Sequence, residues 1–358
     1  MTMMANLPLS ERIGRVFAGA CVGDALGAAT ECMHPDEVLA VFGGPVRELR
    51  DPPPRAQFAL GLARGKLTDD ATQMLAMARR LIAANGRPTV ADAVDGILDW
   101  ASDEEVFRRF AGPTTRLAVE QLRAGVEPAI VASPAVYSCT YGTSNGGAMR
   151  APAAGCARPG DPVGAAELAA VLSAPTHNTQ IAYAGAGAVA ASIAVGLTSG
   201  LTGGAAEAAM IEAAHRGIVA GEAYARTNGR VVGGPGIRRR LDLAVGIGEA
   251  HRGDLAGAAA ELTDVVGNGV AMAEAVPHAF GLVIAASGNP WEAIVAAVNG
   301  GNDSDTIAMI AGAVAAAWWQ DGEAVPPAIL AEVESANGLD LRQFANAFTA
   351  ALFPGKAA

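Results

Sequence analysis

The stretch Asp305-Thr306-Ile307-Ala308-Met309-Ile310-Ala311-Gly312-Ala313-Val314-Ala315-Ala316-Ala317-Trp318 reads as a helix that is apolar on every side. Ile307, Ile310, Ala311, Val314, Ala315 and Trp318 keep helical spacing, and the positions between them are Ala, Met or Gly. Such a helix belongs in the middle of a large helical protein. Working outward, the same period returns at Met74, Met77, Ala78, Leu81 and Ile82, in a helix opened by Thr68 and two Asp residues and closed by Gly86. Further helical segments are expected near 10–28, 89–101, 114–124, 164–173, 178–197, 204–218, 236–251, 270–286, 290–299, 326–335 and 339–351.

Period-two runs of Val, Ile and Thr bounded by turn residues are nearly absent. The interruptions are short: Asp51-Pro52-Pro53-Pro54, Gly142 to Gly147, Gly229 to Gly236 and Pro326-Pro327. None resembles a long linker. The expectation is an all-α protein, a single compact orthogonal helical bundle over residues 1–358, in which abundant Ala and Gly let helix axes approach closely.

Composition narrows the function. The chain has 51% hydrophobic against 17% charged residues, which excludes a disordered protein. Its 25 Lys plus Arg and 36 Asp plus Glu leave a net charge of −11, so duplex nucleic acid is not an expected partner. Cys21, Cys32, Cys139 and Cys156 form no C-x-x-C pair, which suits a reducing compartment. The uncharged segment 181–197 is mostly Ala and Gly and falls short of the roughly 20 strongly apolar residues of a membrane span. Asp24 interrupts the first apolar stretch, unlike a secretory signal. A cytoplasmic protein without a membrane partner is expected.

Several motifs fail on inspection. Gly61 to Thr68 lacks one residue of a phosphate-binding loop and has Leu67 where Ser or Thr must hold magnesium. Asp303-Ser304-Asp305 does not continue as a calcium loop, since Ile307 and Ala308 stand where the third ligand and the turn glycine belong. No Gly-x-Ser-x-Gly elbow or His-Glu-x-x-His pair occurs.

Two acidic clusters survive, Thr68-Asp69-Asp70 and Asp303-Ser304-Asp305-Thr306, each at the start of a strongly apolar helix. Singly, each reads as a helix cap. Together they suggest more, because carboxylates gathered in a cleft repel and take up protons unless cations neutralise them. Four aspartates match the charge of two divalent cations, and Thr hydroxyls add neutral oxygen ligands. With no nearby His or Cys, two Mg²⁺ or Mn²⁺ ions are the expected cofactors.

Gly23-Asp24-Ala25-Leu26-Gly27, Thr68-Asp69-Asp70, Ser144-Asn145-Gly146-Gly147-Ala148-Met149-Arg150, Thr176-His177 and Gly301-Asn302-Asp303-Ser304-Asp305-Thr306 resemble, in order, the motifs of the ADP-ribosylglycohydrolase family, which includes the dinitrogenase reductase-activating glycohydrolases. The resemblance runs from about residue 10 to about 320. It implies an all-α fold, two Mg²⁺ or Mn²⁺ ions at the bottom of a cleft, and hydrolysis at C1″ of an ADP-ribosyl group. Carried over, it makes Thr68, Asp69, Asp70, Asp303, Asp305 and Thr306 the metal ligands. It places Glu31, seven residues after Asp24, beside the ribose, with Glu31 or Asp303 handling the catalytic proton. Ser144, Asn145, Gly146 and Gly147 would line the substrate pocket, with His177 at its wall. The Asn-Gly-Gly segment reads locally as a turn whose N–H groups can form an anion nest. Trp100, Tyr137 and Tyr141 are the aromatics available to stack on adenine.

The chain departs from the usual pattern at Ala71, which displaces a threonine to Thr72, and at Asn302 and Ser304, which stand where Gly and Thr are more common. None of these removes a ligand. The expected activity is therefore metal-dependent cleavage of an N- or O-glycosidic bond of an ADP-ribosylated protein or small molecule. The alternatives are a glycosidase of a free nucleoside-like or other ribosylated metabolite, and a non-catalytic binding protein.

Overall fold

Helix-start residues and apolar periodicity cut the chain into seventeen α-helices among residues 7–131 and 141–355, which the computed structural model describes. In chain order the first nine are α1 (Leu9–Gly27), α2 (Pro35–Phe42), α3 (Asp69–Ala83), α4 (Val90–Trp100), α5 (Glu104–Phe110), α6 (Pro113–Arg123), α7 (Gly146–Cys156), α8 (Pro162–Ser173) and α9 (Gln180–Gly196). There follow α10 (Gly203–Asn228), α11 (Ile237–Ala250), α12 (Leu255–Val265), α13 (Met272–Ala285), α14 (Pro290–Gly300), α15 (Ser304–Trp318), α16 (Pro327–Asn337) and α17 (Leu341–Leu352). Among the described residues the only extended pairings are two isolated bridges, Ser144 with Ala271 and Thr179 with Arg230. The protein is all-α.

Every residue of α15 is buried, as its unbroken apolar sequence requires. Nearly all of α9 is buried as well. That helix covers the uncharged segment, and no helix among the described residues is long and apolar enough to cross a membrane. The largest apolar core draws on side chains from Ile13 to Phe348.

Four helices escape the sequence periodicity: α2, α5, α7 and α12. The most consequential is α7, which begins at Gly146 within the segment read as a turn. Its Gly-Gly start and internal Pro152 hide the pattern, yet all eleven of its residues are buried. Tertiary packing overrides a low intrinsic propensity there. The expected anion nest is accordingly a helix start, with the Ala148 and Met149 N–H groups bonded to the Asn145 carbonyl.

The α1–α15 contact positions the site. Gly19, Gly23 and Gly27 fall at every fourth residue on one face of α1, and a Cβ at any of them would run into the backbone of α15, at Gly312, Ala308 and Asp305 respectively. Glycine lets the two helix backbones touch, so Gly23 and Gly27 hold Asp24 against the start of α15. Gly23→Ala is expected to lower stability by about 1–3 kcal/mol or more, the cost of overpacking a tight core. Chemical denaturation measures this, and an unchanged midpoint would contradict the close approach.

Candidate active site

The two acidic clusters open α3 and α15, and the tertiary structure brings these helix starts together. Thr68 is the N-cap of α3 and accepts a hydrogen bond from the Asp70 N–H at 3.3 Å. The Thr306 hydroxyl on α15 donates to Asp70 Oδ2 at 2.7 Å, joining the clusters directly. Asp24 arrives from α1. It accepts the Thr68 hydroxyl at 2.6 Å, the Thr68 N–H at 3.0 Å and the Ala71 N–H at 3.2 Å. Glu31 sits half-buried in the turn after α1. That turn is pinned by the Cys32 N–H to the Asn302 carbonyl at 2.7 Å and by the Asn302 N–H to the Met33 carbonyl at 2.8 Å. Cys32 and Asn302 both have positive φ, at 63° and 53°, and the neighbouring Gly301 at 66° has no room for a Cβ beside Met33.

Two overlapping groups of carboxylates result. Oxygens of Asp24, Asp70 and Asp305 lie within 4.8 Å of one another, as do those of Glu31, Asp303 and Asp305. Asp305 belongs to both. Asp69 lies outside these two groups, lines the cavity above them and accepts a hydrogen bond from Gln73 at 3.0 Å. The donor set fits hard divalent cations: Asp305 Oδ1 is buried with no partner, and neither group contains His or Cys.

Burial, followed by the charge of Asp305, pushes the carboxyl of Asp24 up to about 7 and that of Asp303 up to about 8. The same causes in the same order raise Glu31, Asp69 and Asp70. Burial raises Asp305 itself to about 6. In the unfolded chain an aspartate releases its proton near 3.8, so between that value and about 8 the folded, metal-free chain holds protons that the unfolded chain does not. The stability these protons confer is complete below about pH 4 and is lost as pH rises through about 6 to 8. Cations compete with those protons. The rise in melting temperature caused by Mg²⁺ over a chelator is therefore expected to grow from pH 5 to pH 8.5, and a pH-independent difference would argue against a carboxylate site.

A cavity of 630 Å³, the size of a small-molecule pocket, stands over these groups, and Glu31, Asp69, Asp70, Asp303, Asp305 and Thr306 are part of its lining. Ser144, Asn145, Gly146 and His177 form a wall of the same cavity. Asn145 ties wall to floor through a hydrogen bond from its amide to Asp303 Oδ2. Gly147 lies behind the wall, where a Cβ would meet Ser173. Arg108, Arg109 and Arg116 also line it, with Phe58 and Phe110; Arg109 donates to the Phe58 and Leu60 carbonyls and Arg116 to the Arg108 and Ala111 carbonyls. Of the aromatics considered for adenine, Trp100 packs edge-on against Phe107 and donates to Thr72, away from the cavity. Tyr141 donates to the Pro113 carbonyl, and Tyr137 lies outside the described residues. Phe58 and Phe110 carried no signal in the sequence.

The departures from the usual motifs find structural roles. Ser304 donates to the Gly27 carbonyl at 3.1 Å and meets Thr30 at 3.0 Å, locking α1 to α15. Thr72 bonds back to the Thr68 carbonyl at 2.7 Å instead of facing the cluster. Three residues absent from the expected site emerge beside it: Asp24, Gln73 and Arg150. An aspartate inside an apolar helix was one signal for Asp24, and the motifs quoted for the family already contained Asp24 and Arg150.

A sequence model of the family described as ADP-ribosylglycohydrolase matches residues 5–356. The uncharacterized protein YegU of Escherichia coli K12 is 30% identical over 340 residues, covering 94% of this chain and 96% of that protein. A solved structure described as an ADP-ribosylglycohydrolase-related protein complex superposes with a TM-score of 0.65 at 22% identity, covering 97% of this chain and 98% of that one. That last likeness is one of fold.

Proposed function

The chain belongs to the ADP-ribosylglycohydrolase family and is a glycosidase, and from that premise we propose that it is metal-dependent and cleaves the C1″ N- or O-glycosidic bond of an ADP-ribosyl group on a protein or small molecule. The polarity of one cavity carries this reading. Its lining combines the acidic groups with Arg108, Arg109 and Arg116, so a substrate that carries both a ribose diol and phosphates meets charge of each sign within one cavity.

Two divalent cations, Mg²⁺ or Mn²⁺, would neutralise the carboxylates and polarise the ribose hydroxyls and a water when bound. Asp70, Asp303, Asp305, Thr306 and Thr68 would supply the oxygen ligands, with Asp69 reaching in from outside the two carboxylate groups. Thr68 spends its proton on Asp24 and one lone pair on the Asp70 N–H, which leaves one lone pair for a cation. Both oxygens of Asp24 accept hydrogen bonds from the start of α3, so Asp24 braces that helix beside the carboxylate group it forms with Asp70 and Asp305. Glu31 lines the cavity and its raised proton affinity suits proton transfer. Asp303, clamped by Asn145 and near Thr306, is the other carboxylate placed for that role. The Asn145 amide fixes the wall relative to the floor and so holds the sugar where the bond breaks.

Residues 1–358 act as one domain in this reading, supported by the apolar core shared from Ile13 to Phe348. A cytoplasmic site of action accords with the free thiols of Cys21, Cys32 and Cys156. The test is release of ADP-ribose from Arg-linked, Ser-linked and small-molecule substrates with Mg²⁺, Mn²⁺ or a chelator. Metal-dependent release of ADP-ribose is expected. Release of ribose from nucleosides with ADP-ribosyl substrates untouched would instead identify a nucleoside-type glycosidase.

A further inference from the structure

Behind the cavity wall runs a chain of buried polar side chains that the ligand set does not use. Gln73 Nε2 donates to Asp69 Oδ2 at 3.0 Å, and Arg150 donates to Gln73 Oε1 from Nε at 2.8 Å and from Nη2 at 2.6 Å. Arg150 Nη1 donates to the Thr176 hydroxyl at 2.7 Å. Thr176 Oγ1 lies 2.7 Å from His177 Nδ1, and His177 Nε2 lies 2.8 Å from the Ser144 hydroxyl. Gln73 and Arg150 are wholly buried, and Thr176 and His177 are each 1% exposed.

This chain has one self-consistent arrangement of protons. A guanidinium donates and never accepts, so the Thr176 oxygen must accept from Arg150. Were Thr176 to accept from Nδ1 as well, its own buried proton would have no acceptor among the described residues, so that proton goes to His177 Nδ1. Burial, reinforced by the charge of Arg150, keeps the imidazole neutral. Its one N–H is therefore on Nε2 and donates to Ser144. Ser144 accepts there, so its own proton turns elsewhere, and the nearest protein acceptor is the Thr114 hydroxyl at 3.5 Å, the limit of a hydrogen bond. The same guanidinium holds the Gln73 oxygen, which leaves the Gln73 amide as a donor to Asp69.

We propose that Arg150 is a positioning residue that fixes Gln73 as a donor to Asp69 and, through Thr176 and His177, fixes Ser144 as a hydrogen-bond donor to an acceptor oxygen of the substrate. The proposal rests on the reading of the cavity as the substrate site. It makes the Ser144 position select phosphoryl or hydroxyl oxygens with a free lone pair and disfavour cationic groups, which bring only donors.

The tautomer of His177 in the full chain tests this directly. Long-range ¹H–¹⁵N spectra, with the His177 signals identified by their loss in His177→Asn, are expected to show Nε2 protonated and Nδ1 bare. Thr176→Val removes the proton that holds Nδ1. Transfer of the ring proton toward Nδ1 is expected, with about tenfold weaker binding of ADP-ribose, the scale of one hydrogen bond, and an unchanged metal-induced rise in melting temperature. Thr176→Ser restores both the tautomer and the affinity. An Nδ1-protonated or cationic His177 in the wild-type chain overturns the proposal, as does a Thr176→Val chain with wild-type tautomer and affinity. Should the wild-type chain bind no ADP-ribose while His177 carries its proton on Nε2, the hydrolase reading falls and the proton relay stands.

Discussion

Asp305→Ala is expected to make the metal-free chain more stable at neutral pH while removing both turnover and stabilisation by Mg²⁺ or Mn²⁺. Asp305 is the carboxylate shared by the two acidic groups, and its charge is a cause of the raised proton affinity of Asp24, Glu31, Asp69, Asp70 and Asp303. Its own Oδ1 is buried without a partner. Without cations, deleting this charge relieves repulsion and desolvation worth about 1–3 kcal/mol. With cations, the native state loses the ligand common to both groups. The wild-type chain should gain about 2.7 kcal/mol when metal is at a hundred times its dissociation constant, and the variant almost nothing. Turnover should fall on the order of 10³-fold or more, as when a group that stabilises developing charge is removed. The opposite signs separate this outcome from misfolding, which lowers stability with and without metal. Melting curves with chelator and with Mg²⁺ measure both arms, and a variant that binds two ions with native affinity would remove the shared-ligand site.

Glu31→Gln should behave differently. Glu31 belongs to one carboxylate group only, lies half-buried at the cavity, and is carried by a turn whose backbone is pinned to Asn302. The amide preserves shape but cannot take or give the carboxyl proton. A fall in kcat of about 10²- to 10⁴-fold is expected, the range associated with loss of a general acid or base. Metal-induced stabilisation should drop less than in Asp305→Ala, because the Asp24–Asp70–Asp305 group is left whole. Steady-state kinetics beside thermal shifts make the comparison. Turnover at the wild-type rate would remove Glu31 from the chemistry, and a complete loss of metal stabilisation would recast it as an indispensable ligand.

The helical class was legible because amphipathic period, caps and breakers are local properties of ten to twenty residues. Met74 to Ile82 and Ile307 to Trp318 announce their helices without reference to anything else in the chain. The acidic clusters were legible for the same reason, as the first turns of those helices. The motifs from Gly23 to Thr306 pointed to the family, and a sequence model spanning residues 5–356 shows it. What the local signal could not contain is partnership across the chain. Thr306 meets Asp70 across 236 residues, Asn145 meets Asp303 across 158, Arg150 meets Gln73 across 77 and Thr68 meets Asp24 across 44. Helix packing sets each of these, above all the glycine-mediated contact of α1 with α15, and a hydrogen bond formed by packing leaves no period in the sequence of either partner. For the same reason α7 stayed hidden, since its glycines and Pro152 disfavour a helix until burial against its neighbours outweighs their propensity. Sequence alone thus determined which residues carry the charge and the helices that bear them. Tertiary structure decided that Asp24 braces α3, that Asp305 is shared, and that Arg150 joins Gln73 to Thr176 behind the cavity wall.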